Sequence, residues 1–166
     1  MKSGVFLVLA AIAVSGCGNG ESADVLFTRG EAATHRVPSY DEAEEALGEF
    51  LDRFPNDPRA DVALQSLARV LLSRQKYDDA VGRYRQLADT YPESRYRDQA
   101  QFMIGYVLDL KGDLEGARVA YEKVIALYPD SDLADDALLS IQNLGKAPED
   151  WLAPDESGAS SDQAGD

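Results

Sequence analysis

The chain has 166 residues, 16 Lys and Arg against 30 Asp and Glu, and a formal net charge of −14. That length holds one domain plus tails, and a surface so acidic repels phosphate backbones, which argues against a nucleic-acid partner. Cys17 is the only cysteine and His35 the only histidine, so neither an intramolecular disulfide nor a Cys/His zinc site is available.

The first 16 residues read as an export signal. Lys2 supplies the positive start, and Val5 to Val14 is an apolar run of about ten residues, too short to span a bilayer. It ends in Val14-Ser15-Gly16-Cys17. A branched apolar residue, two small ones and a cysteine resemble the bacterial lipobox. That resemblance implies acylation of Cys17 and, because Gly rather than Asp follows, sorting to the outer membrane, facing the periplasm. More than one acyl chain makes a stable anchor, where a single chain would bind only marginally.

Residues 17–38 then read as a lipidated cysteine and a flexible tether, turn-rich at Gly18-Asn19-Gly20. About 20 residues of coil reach roughly 25 Å. Val25-Leu26-Phe27 is a small apolar patch able to dock on the repeats, and His35 reads as a solvated loop residue.

The pattern predicts six helices between residues 39 and 145. The first starts at Ser39, where Ser39-Tyr40-Asp41-Glu42 spells a capping box, and carries Ala43, Leu47, Phe50, Leu51 and Phe54 at helical spacing before Pro55. The second has Asp57 as its N-cap and Pro58 in its first turn, with Ala60, Ala63, Leu64, Leu67, Ala68 and Leu71 inward. The third spans Tyr77 to Tyr91. The fourth is capped by Ser94, buries Ala100, Ile104, Gly105, Val107 and Leu108, and stops at Gly112. The fifth spans Leu114 to Tyr128, and the sixth Leu133 to Leu144, closed by Gly145. Residues 146–166, rich in Ser, Gly, Ala and Asp, read as an acidic disordered tail.

These helices repeat. Tyr40-Asp41-Glu42-Ala43 returns as Tyr77-Asp78-Asp79-Ala80 and as Leu114-Glu115-Gly116-Ala117. Phe54-Pro55 returns as Tyr91-Pro92 and Tyr128-Pro129, each after 37 residues. A period in this range marks stacked helical hairpins. Ala68, Ala80, Gly105 and Ala117, with Tyr84 and Tyr121 one turn on, resemble the tetratricopeptide pattern of small residues at helix crossings and an aromatic beside them. Leu64 and Gln101 stand where the common form has Trp, and the common period is 34. The longer repeat is similar to those of bacterial envelope proteins, namely the outer-membrane β-barrel assembly lipoprotein and the periplasmic coordinator associated with Tol–Pal. The fold expected is therefore an all-α tetratricopeptide-type solenoid: two full repeats with a half-repeat at each end.

The chemistry follows from what is absent and what is arrayed. Acid pairs such as Asp78-Asp79 and Asp135-Asp136 sit in first turns, where they suit the helix dipole. No nucleophile, phosphate-loop or calcium-loop spacing occurs, so no enzyme, cofactor or metal is expected. The resemblance implies binding of protein partners along the first helix of each hairpin. The residues one step round from the buried stripe would form that groove: Gln65, Arg69 and Leu72; Phe102, Tyr106 and Asp109; Leu139 and Asn143. The locally basic run of Arg69, Arg74, Lys76, Arg83, Arg85, Arg95 and Arg97 offers a second candidate surface. The expectation is thus a lipid-anchored envelope scaffold in outer-membrane assembly or organisation. A glycan or small-ligand carrier and a structural spacer are the alternatives.

Overall fold

The computed structural model of the chain describes residues 20–146. Among these the order is α1 (Ala23–Ala33), a 3₁₀ turn (Val37–Ser39), α2 (Tyr40–Arg53), α3 (Ala60–Ser73), α4 (Tyr77–Thr90), α5 (Arg97–Lys111), α6 (Leu114–Leu127) and α7 (Leu133–Gln142), with no strand. Each helix packs on the next in chain order, while α1 touches α3 and α5 touches α7. The molecule is therefore an all-α row of hairpins in which first helices neighbour first helices.

The apolar stripes read from the sequence are the core. Ala43, Leu47, Phe50, Ala63, Leu64, Ala80, Leu87, Ala117 and Val124 are all fully buried. Small residues sit where backbones approach. A Cβ on Gly105 would lie 2.7 Å from the Tyr121 ring, and one on Gly30 would lie 2.6 Å from Leu47. Gln101, in the place of the usual Trp, is buried yet satisfied: its Nε2 donates to the Ala120 carbonyl at 3.0 Å and ties α5 to α6.

Three expectations are corrected. The stretch expected as a tether up to residue 38 contains α1, which is capped by Ser22, buries Leu26, Gly30 and Ala33, and sets Phe27 5.4 Å from Phe50. The helix at Ser39 thus has its hairpin partner, and the array is three full hairpins plus a single final helix. The physical reason is that α2 alone would leave Leu47 and Phe50 open to water.

Ser39 makes no capping bond. Pro38 lies in the 3₁₀ turn that runs straight into α2, and this leaves Ser39 at φ −103°, ψ 8°, away from the extended backbone a capping side chain needs. Asp57 and Ser94 do not cap their helices either, which begin at Ala60 and Arg97. Each side chain accepts from the amide two residues on (Arg59 N at 3.0 Å, Tyr96 N at 3.2 Å), a local turn that holds the chain until the helix starts. Gly112 does end its helix, in the left-handed conformation at φ 85°.

Candidate functional site

The 37-residue period is built into side-chain links between successive hairpins. Ser94 donates to Asp61 at 2.6 Å, and Ser131, one period later, donates to Asp98 at 2.7 Å. One period earlier the positions are Asp57 and Asp24, two acids that would repel. Arg59 bridges them, at 2.8 Å to each. Its hydrogen bonds hold the Asp57 carboxyl down at about 2. On the side of the second helices, Arg74 pairs with Asp41 and Glu44, Lys76 with Glu44 at 2.7 Å, and Lys111 with Asp78.

The face carried by α3, α5 and α7 holds the groove residues. Gln65 donates to Gln99 across α3 and α5 at 2.6 Å. A cavity of about 230 Å³ opens there, lined by Gln65, Arg69, Leu72, Ser73, Tyr84, Gln99 and Met103. Arg69 is exposed, and among the described residues no carboxylate lies within ion-pair reach of it. Tyr84 is 1% exposed, and burial pushes its hydroxyl up to about 12.

Further along the face, Phe102 is half-buried with its ring 5.2 Å from Tyr121, so it is largely packing, whereas Tyr106 is exposed. Asp109 accepts from the Gly145 amide at 3.2 Å and holds the chain just beyond the last helix. Leu139 is exposed, and Asn143 is held by the Leu139 carbonyl at 2.9 Å. The structure thus brings Gln65, Arg69 and Leu72 into one cavity, and leaves Tyr106 and Leu139 open on the same row of first helices. Phe102, Asp109 and Asn143 are engaged inside the protein.

The family model for a tetratricopeptide repeat-like domain matches residues 25–144, well over half of the chain. The chain belongs to that tetratricopeptide repeat-like family. No curated protein matches it. The match begins inside α1, in agreement with α1 as the first helix of the first repeat. Tetratricopeptide-like arrays are protein-interaction scaffolds whose stacked repeats offer an extended binding face. Among the described residues no three metal-ligating side chains come together, and no helix is long and apolar enough to cross a membrane.

Part of the basic run is engaged inside this tetratricopeptide array, while Arg69 and Arg85 stay exposed. Arg74 and Lys76 are consumed in the links between hairpins. Arg95 lies over the Tyr96 ring at 4.6 Å, and Arg97 donates to the Ala88 carbonyl at 2.9 Å. Sequence reasoning missed Tyr84, Gln99 and Met103 as groove residues. A signal existed for α1: Asp24, Asp61, Asp98 and Asp135 recur every 37 residues, which places a first helix at each. Cys17 lies outside the described residues.

Proposed function

We propose that this protein is a non-enzymatic adaptor of the bacterial cell envelope. In this reading it is lipid-anchored at Cys17 to the outer membrane, faces the periplasm, and binds protein partners along the first helices of its repeats. The observation that carries the binding reading is the row formed by α3, α5 and α7, where Arg69, Tyr106 and Leu139 stand exposed although other positions on the same helices are buried. Exposed aromatic and Arg side chains are typical anchors of protein interfaces. The lipobox-like Val14-Ser15-Gly16-Cys17 supports the anchor, and the long 37-residue repeat supports a role in outer-membrane assembly or organisation.

Two experiments test the parts separately. Fractionation with a palmitate analogue places wild type in the membrane with label, and Cys17→Ser unlabelled and soluble or unprocessed. Equal partitioning without label in both removes the anchor. Capture from crosslinked membranes compares wild type with the double variant Tyr106→Ala, Leu139→Ala, both exposed changes that leave helical circular dichroism intact. Loss of specific partners supports the groove, and an identical capture profile rejects it.

A further inference from the structure

Resting on the reading of this face as a partner-binding groove, we propose that the cavity between α3 and α5 receives one acidic side chain, Asp or Glu, of a partner polypeptide. The carboxylate would be held by the Tyr84 hydroxyl and the Arg69 guanidinium.

Tyr84 sets this cavity apart. Its hydroxyl is buried and finds no hydrogen-bond partner among the described residues, an uncommon state for a buried polar group. The same position one repeat later, Tyr121, is equally buried, but the Ser140 hydroxyl stands beside its own, and it is not among the buried groups left without a partner. The residue one period before Ser140 is Met103, whose thioether is at best a weak acceptor. The orphan hydroxyl is therefore particular to the α3/α5 step and is not a requirement of repeat packing. The lining differs in the same way. Gln65, Arg69 and Leu72 line this step where Phe102, Tyr106 and Asp109 stand in the next.

The chemistry of the lining selects the ligand. Arg69 only donates. Gln65 already donates to Gln99, which leaves the Gln99 amide hydrogens free to donate. With the Tyr84 hydroxyl added, donors outnumber acceptors, so the complement is a group that only accepts. A carboxylate matches one guanidinium charge for charge. A phosphate would bring about two negative charges to one cation on a chain of net charge −14. A cavity of about 230 Å³ is smaller than the pockets that hold whole small molecules. It has room for a side chain presented by a segment lying along the face.

The test is selection of short random peptides on the full-length chain in detergent. The readout is binding to wild type, Arg69→Ala, Tyr84→Phe and Tyr106→Ala, each checked for native circular dichroism. The expected result is a set of peptides with Asp or Glu at one fixed position. Replacing that acid by its amide weakens binding about tenfold or more. Tyr84→Phe and Arg69→Ala do the same, and neither adds to the effect of the amide. Peptides that respond to Tyr106→Ala but carry no fixed acid and ignore Tyr84→Phe overturn this inference and leave the groove standing. So do peptides whose fixed residue is phosphorylated when phosphopeptides are included. If no selected peptide responds to any of the three variants, or none is selected, the groove reading falls with it.

Discussion

Asp57 and Arg59 show how one substitution inside a repeat is absorbed. Where later repeats join a Ser to an Asp, this one has two acids and an Arg between them. The Arg59 hydrogen bonds lower the Asp57 carboxyl from 3.8 to about 2. A depressed carboxyl contributes stability above its unfolded value and loses it as pH falls through the folded one. The melting temperature of wild type should therefore drop between pH 4 and 2 more steeply than that of Asp57→Asn, and parallel curves would mean that the bridge carries no stability. The buried tyrosines act at the other end of the scale. Burial raises both hydroxyls from 10.0 to about 12, so their contribution is intact below pH 10 and is lost as pH rises through 12. Tyr84→Phe removes a hydroxyl without a partner. It should leave the neutral-pH melting temperature unchanged or higher while moving the alkaline midpoint upward. Tyr121→Phe also moves the alkaline midpoint, but it should lower the neutral-pH melting temperature, because the hydroxyl it removes has Ser140 beside it. Thermal melts from pH 7 to 12 separate the two.

At the scale of the element, packing decides which helices the sequence makes legible. The six helices from residue 39 onward were readable because Ala, Leu and Tyr recur with both helical spacing and the longer period. α1 reads instead as a tether, because Gly30, flanked by Arg29 and Glu31, interrupts its apolar spacing and the turn-rich Gly18-Asn19-Gly20 stands just before it. What makes it a helix is tertiary: Gly30 lets it lie against Leu47, and Leu26 fills the space beside Phe50. Leu26→Ala should cost about 2–5 kcal/mol by denaturant unfolding, a value an unpacked tether residue would not approach. The same logic fixes the crossings within repeats. Ala80 and Ala117 are fully buried, so enlarging Ala117 to Leu should cost about 1–3 kcal/mol through overpacking. The cavity between α3 and α5 was only half legible. Helical spacing placed Gln65, Arg69 and Leu72 on one face, but no local pattern shows that Tyr84 and Met103 line the same cavity, since they come from different hairpins.

Across the whole molecule the hairpins form a row in which each helix rests on its chain neighbours, so stability is transmitted along it step by step. The two ends of the row are finished differently. At the start, α1 buries Leu26, Gly30 and Ala33, and Arg59 fastens its first turn through Asp24. At the other end, α7 fully buries Ala137 alone and leaves Leu138 and Leu139 about half exposed, with Asp109 holding the chain only just beyond it. A helix with one buried position has little apolar area to oppose its ordering entropy. Amide hydrogen exchange should therefore show the slowest opening in α3, α4 and α5, intermediate protection in α1, and the fastest exchange among the helices in α7. Ser94→Ala, which unlinks α3 from the turn before α5, should lower protection in both helices while leaving α1 near wild type. Uniform protection from α1 to α7 would instead mean that the row opens as a single cooperative unit, with coupling between hairpins stronger than the difference between its ends.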